Sequence, residues 1–349
     1  MLLCELLYTQ DTMTHGRAIL PHLEVLGYSL TLKDRSGFIG DRASNRAFFA
    51  ILDELREPLC EEGTDPFDNR ATEDLTLNDI DAAWDAGDVL AAGVVFSAVE
   101  EFAQRLARVV RAYRLADEHW AKVGRIAVGG GLRDSRIGEI AIGRTTAILR
   151  FEGITVDLVP ITQDPDEAAL LGGLRLIEEE DLHGFSQMLA VDIGGSSIRA
   201  GLIEFSPKAP HDLSEAAVIA LDQWKYAEED EGPSRDAAVE RLAQMLGELK
   251  AKAGKKRAPY LTLACPGCIL DDGGIRDGAQ NLPGDWEADD FRLPEALAAH
   301  LGVEFEIVMH NDAVVQGLSE ADQMQENDYW AVITIGTGLG NAVYRNSDA

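Results

Sequence analysis

Leu189–Phe205 reads LAVDIGGSSIRAGLIEF, and the fold turns on how this stretch is read. An apolar strand ends at Asp192, a tight turn follows through Gly194, Gly195, Ser196 and Ser197, and a second strand runs from Ile198 to Phe205. Paired glycines are expected to supply turn conformations with positive φ and to let the backbone approach a ligand. The hydroxyls and free N–H groups of such a turn suit a phosphate, and an acidic residue at the strand end suits a metal or its water. The same residues also describe an ordinary hairpin that carries an aspartate, so both readings stand at this point.

A second strand–glycine–strand unit lies near the other end of the sequence, where Tyr329–Ile335 enters Gly336-Thr337-Gly338-Leu339-Gly340 and returns as NAVYRN. Its GxGxG spacing and the absence of room for a crossover helix exclude a Rossmann fingerprint. A third glycine turn, Gly129-Gly130-Gly131, follows the buried strand Val123–Val128, with Asp134-Ser135 at a helix start. A tight strand-to-helix turn explains it as well as a ligand does. His310-Asn311-Asp312 ends the strand Phe305–Met309 and opens a helix from Ala313 to Ala321. Asp312 is there either the helix cap or a general base for a substrate hydroxyl.

Between these points the pattern alternates helices and strands. Val95, Val99, Phe102, Leu106, Val109 and Tyr113 share one helix face, and the strand Thr155–Val159 (TVDLV) leads to Pro160. A helix over Arg46–Leu55 is expected to break before Pro58, and Asn78 is expected to cap a short helix to Ala86. Asp166–Glu180 reads as one helix with a stripe of small residues, followed by the linker DLHGFSQ. Arg235–Lys250 is amphipathic, and Tyr260–Ala264 enters the long turn-rich CPGCILDDGGIRDGAQNLPGDW.

The 349 residues allow two domains or two lobes. A formal charge of −30 argues against nucleic acid and anionic membranes as partners. No run reaches membrane-spanning length, and MLLCELLYTQD lacks the basic and long apolar regions of a secretion signal. Cys4, Cys60, Cys265 and Cys268 are too scattered for a disulfide framework, which fits a cytoplasmic protein, and CPGC without a second ligand pair reads as packing.

Five motifs together carry a resemblance: LAVDIGGSSIRAGLIEF, the PG…NLPGDW segment, HNDA after a strand, IGTGLG, and IAVGGG. They are similar to the motifs of the ROK (repressor, ORF, kinase) family of sugar kinases and glucokinases, in the actin-like ATPase superfamily. The resemblance covers most of residues 80–345. It implies an α/β, two-lobed actin-like ATPase (ribonuclease-H-like) fold with a nucleotide cleft between the lobes. The motif order departs from the family, because the GGG turn and the helix resembling the family's last one precede the DxGG hairpin. A circular permutation accounts for this, with residues 1–185 resembling the family's C-terminal half and DLHGFSQ at the join. The lobes are then expected at 1–165 with 303–349, and at 166–302.

By the same resemblance Asp192 contacts the metal or its water, and Gly194, Gly195, Ser196 and Ser197 cradle phosphates with Gly336, Thr337 and Gly338. Gly129, Gly130 and Gly131 lie by the adenosine. Asn281 and Asn311 hold sugar hydroxyls, and Asp312 is the base. ATP and Mg²⁺ are the implied cofactors, a sugar and ATP the implied partners, and a homodimer an option. The family's cysteine-rich zinc motif is absent, so no structural zinc is expected. The family's GExGH segment has no clean copy; LPHLEVLGY is nearest, with Glu24 as its candidate carboxylate or, like His22, a plain loop residue. That gap motivates the alternative of a catalytically silent sugar- or nucleotide-binding protein with the same fold. No helix-turn-helix is visible, which argues against a DNA-binding repressor.

Overall fold

The computed structural model describes residues 15–35, 37–229, 232–302 and 305–347, so MLLCELLYTQD with Cys4 lies outside the described residues. The described residues divide into two compact units, one of residues 30–165 and 329–340, the other of 15–29, 166–328 and 341–347. The architecture is mixed α/β, as the sequence led us to expect. Along the chain, β1 (Ile19–Leu20) and β2 (Leu23–Tyr28) form an antiparallel hairpin of the second unit. The first unit follows, opening on the small ribbon β3 (Lys33–Asp34) and β4 (Gly37–Phe38).

Helix α1 (Asn45–Glu62) starts at Ser44, whose hydroxyl accepts from Ala47 N at 3.2 Å, and ends at Gly63 with φ +68°. It does not break before Pro58. Phe48, Ile51, Leu52 and Arg56 bury one face, and this tertiary packing carries the helix through the proline. Helix α2 (Leu77–Asp85) is capped by Thr76 in a reciprocal box with Asp79, not by Asn78. All six expected inward residues of α3 (Val89–Ala116) are buried.

After α4 (Glu118–Lys122) come β5 (Arg125–Gly129), α5 (Arg136–Phe151) and β6 (Asp157–Pro160). In this unit β5 is the centre of a parallel trio, with β6 on one side and β12 (Tyr329–Ile335) on the other. Buried Arg56 forms a bidentate pair with Asp65 at 2.9 and 2.8 Å and also donates to Thr72 Oγ1.

The second unit resumes with α6 (Ala168–Gly172), a 3₁₀ turn over Gly173–Leu176, and α7 (Glu179–Leu182). The single helix expected over 166–180 is thus broken. A Cβ on Gly172 would stand 2.0 Å from Val315 O, and one on Gly173 2.4 Å from Thr262 Oγ1. These glycines serve close backbone approach rather than helix length.

Then come β7 (Gln187–Ile193), β8 (Ile198–Glu204), β9 (Ala217–Trp224), α8 (Arg235–Lys252), β10 (Arg257–Cys265), α9 (Leu293–Leu301), β11 (Glu306–Asn311) and α10 (Asp312–Leu318). Their sheet runs β11-β10-β7-β8-β9, with β8 antiparallel to both neighbours and β7, β10 and β11 mutually parallel. Numbered within the sheet, this is order 5-4-1-2-3 with strand 2 reversed, the ribonuclease-H-like arrangement of actin-like ATPases. One face packs α8 and α9 through Leu242, Met245, Leu246, Leu249 and Leu297 against Leu189, Val191, Leu261 and Leu263. The same unit holds 303–328 because β11 pairs with β10 along Tyr260–Cys265, so residue 302 marks no division between the units. Strand β13 (Leu339–Asn346) pairs antiparallel with β2. Among the described residues, no helix is long and apolar enough to cross a membrane.

Candidate active site

Parallel strands β7, β10 and β11 end on the same side of their sheet, and each delivers one side chain there. Asp192 is paired in register with Ala264 of β10, and Asn311 with Cys265, so Asp192 and Asp312 stand on either side of the β10 terminus. Ligand sites of open α/β sheets gather at such carboxyl ends.

Asp312 is the first residue of α10, and its carboxyl is pushed up to about 7. Burial is the main cause and the negative charge of Asp192 the second, against hydrogen bonds from the Ala313 N–H, its own N–H and the Asn311 amide. Asp192 is also raised, by burial above all, with the Arg199 guanidinium opposing. Arg199 donates to Asp192 at 3.2 Å and to Asp166 at 2.6 Å. The free thiol Cys265 is buried and pushed up by burial, then by Asp312 and Asp192. CPGC therefore does not close on itself, and a thiol so raised is a packing residue.

Asn311 is the helix cap that Asp312 was weighed for. Its Oδ1 accepts from Ala313 N and Val314 N at 3.1 and 3.3 Å, and its Nδ2 donates to Gly267 O and Asp312 Oδ1, both at 3.0 Å. The amide thus aims the Asp312 carboxyl and ties the loop after β10 to the end of β11. In that loop Gly267 has φ +102°, and a Cβ there would meet Asp277 O at 2.6 Å. His310 is buried and neutral: Nδ1 accepts from Asn311 N at 2.7 Å, Nε2 lies 3.1 Å from Arg17 O, and burial lowers its pKa to about 4. Asn281 is exposed beyond this loop, in the NLPGDW segment anchored by buried Trp286.

The turn at Gly194–Ser197 closes through Gly194 N donating to Ser197 O at 2.9 Å, and Tyr226 holds Gly194 O at 2.6 Å. Gly194 is not at positive φ, contrary to the expectation from the paired glycines, since a four-residue loop closes this hairpin without left-handed backbone there. Gly195 and Ser196 lie at the accessible rim and Ser197 is buried.

The other glycine turns belong to the first unit. Gly336 N donates to Gly338 O at 2.9 Å, Thr337 lies between them, and open space surrounds a Cβ built on Gly338. Gly130 has φ +85°, and a Cβ there would stand 2.2 Å from Ile335 O. Backbone packing against β12 therefore explains that glycine. Gly129 ends β5 opposite Thr334, and exposed Gly131 opens a 3₁₀ turn.

Glu24 is not gathered with the carboxylates. It lies on β2, buried, in a cross-strand ion pair with Arg345 of β13. Sequence reasoning also passed over Arg199, although a basic residue seven positions after Asp192, on the returning strand of its hairpin, was the available signal.

A family model described as ROK family matches residues 188–349, opening at Met188 on β7. Residues 188–349 are thus similar to the ROK family. The matched segment carries Asp192, Cys265, Asn311, Asp312 and the Gly336–Gly338 turn.

Among solved structures, a ROK hexokinase from Thermus thermophilus matches at 23% identity and a TM-score of 0.34, over 45% of this chain and 46% of its own. A ROK family glucokinase from Streptomyces griseus, in complex with glucose and AMPPNP, matches at 18% identity and 0.33, over 46% and 45%. A Ppx/GppA family member from Aquifex aeolicus matches at 14% identity and 0.33, over 65% and 83%. The chain spans about half the length of the kinase structures it matches. No curated protein matches the chain.

Proposed function

We propose that this chain, similar to the ROK family over residues 188–349, is an ATP- and Mg²⁺-dependent sugar kinase that transfers the γ-phosphoryl group to a hydroxyl of a hexose or related sugar. The observation that carries the reading is Asp312: a carboxyl pushed up to about 7, aimed by the Asn311 amide at the end of β11. A base poised near neutrality takes a proton from an alcohol as the new P–O bond forms, and phosphoryl transfer otherwise rests on positioning and charge stabilisation.

The residues present fit a divalent cation. Asp192 raises the proton affinity of Asp312, a build-up of negative charge that a cation relieves. Mg²⁺ is commonly held by one or two carboxylates with substrate phosphates and water, and when bound it would neutralise charge on the transferring group. Asp192, steadied by Arg199, is the residue to hold it, directly or through water. Gly194, Gly195, Ser196 and Ser197 offer N–H and hydroxyl groups to phosphates, a role shared with Gly336, Thr337 and Gly338. Gly129, Gly130 and Gly131 are candidates for the adenosine, and Asn281 and Asn311 for sugar hydroxyls.

The family match opening at the DxGG hairpin, in mid-chain, supports the permuted order. A cytoplasmic setting, where ATP is available, belongs to the same reading. The silent-binder reading rests on one observation. Glu24 is engaged by Arg345 and the Asn311 amide by its own helix, leaving fewer side chains free for a sugar. Binding of sugar and MgATP, followed by ADP release, separates the two: binding without turnover selects the silent protein.

A further inference from the structure

Away from the aspartates, the second unit gathers two histidines and a glutamate. His22, Glu179 and His211 bring ligand atoms within 4.8 Å of one another, from the β1–β2 turn, the first residue of α7 and the segment after β8. His211 is 6% exposed, and its Nε2 lies 3.0 Å from Ile177 O. A carbonyl only accepts, so Nε2 carries the proton and Nδ1 keeps a bare lone pair. That Nδ1 is buried and has no hydrogen-bond partner. An imidazole whose far N–H is held by a backbone carbonyl, with the other nitrogen left open, is the usual posture of a metal ligand.

His22 adds an independent sign. Leu20 and Leu23 close a two-residue turn over Pro21 and His22, and His22 has φ +64°. With proline first, such a turn calls for glycine or asparagine second. A histidine there accepts a backbone cost that glycine avoids. Arg175 faces the cluster, donating to His211 O at 2.8 Å, and its charge is offset by Asp322 at 2.6 Å.

We infer that His22, Glu179 and His211 form a divalent-metal site whose chemistry selects zinc. Two imidazoles and a carboxylate suit Zn²⁺ over Mg²⁺, with water as fourth ligand. Metal–ligand lengths of about 2.1 Å require ligands about 3.4 Å apart, and exposed His22 with half-buried Glu179 have the freedom to close on fixed His211. The ion would staple the β1–β2 turn to α7 and His211. This departs from the expectation of no structural zinc, which rested on missing cysteines.

The test is titration of the chelator-treated full chain with Zn²⁺, and with Co²⁺ for its tetrahedral absorption bands. One equivalent is expected, with a higher melting temperature and no such response to Mg²⁺. Outer-sphere losses alone cost 10–100-fold in metal affinity, so His22→Asn, which keeps the left-handed turn, and Glu179→Gln should each weaken binding by about 100-fold or more. Both sites are accessible, so these variants test the idea even where His211→Gln fails to fold. Absence of zinc binding, or binding that both variants leave unchanged, overturns the proposal.

Discussion

Asp192 and Asp312 stand on either side of the end of β10, and the charge of Asp192 adds to burial in pushing the Asp312 carboxyl up to about 7. In the unfolded chain Asp312 ionises near its ordinary value of about 3.9. Below that pH both states hold the proton and Asp312 costs nothing. As pH rises towards 7 the unfolded state releases its proton first, so stability falls, and above 7 the loss is constant. Asp312→Asn, which keeps the bond to Asn311, should therefore stabilise the ligand-free protein, with a gain growing between about pH 4 and 7 to roughly 2–4 kcal/mol. Urea unfolding of both proteins at pH 4, 6 and 8 measures it; a gain that is flat with pH contradicts the coupling.

The same coupling predicts non-additivity. Asp192→Asn removes the second cause of the raised Asp312 carboxyl. The gain from Asp312→Asn at pH 8 should then be smaller in the Asp192→Asn background, as a double-mutant cycle reads directly.

Two glycines should part company on replacement by alanine. Gly130→Ala forces a Cβ to 2.2 Å from Ile335 O at φ +85°, and a loss of several kcal/mol is expected. Gly338→Ala meets open space. It should leave unfolding within about 0.5 kcal/mol of wild type while weakening ATP binding in calorimetry, where a methyl intrudes on the phosphates.

Arg56 and Asp65 form a buried bidentate pair with side chains 2% and 0% exposed. Asp65→Ala strands the guanidinium and should cost about 3–5 kcal/mol. Arg56→Met with Asp65→Leu should cost less than either single change, measured by thermal unfolding.

The sequence shows its architecture most clearly where one periodicity dominates. The six inward residues of α3 share a face at spacings of three and four, and β7 with β8 is bounded by its own glycine turn. Reading failed where distant contacts decided. The helix expected over 166–180 stops because Gly172 and Gly173 admit the backbone of α10 and a side chain of β10, which no local pattern records. Asp312 was legible as cap or base, and its neighbour takes the cap: the Asn311 side chain accepts from Ala313 N and Val314 N. At Gly130 the close approach of Ile335 O, which no local pattern records, gives a packing reason for the glycine. Glu24 looked available in sequence because Arg345, its partner, is 321 residues away.

The most direct measurement is coupled ADP release with MgATP across a panel of hexoses and related sugars, for wild type and Asp312→Asn side by side. The account predicts sugar-dependent ADP release by wild type and a fall of about 10²–10⁴-fold in kcat for the variant, with ATP binding retained. Near-wild-type turnover by Asp312→Asn, or binding of sugar and ATP by wild type without any ADP formed, would contradict it.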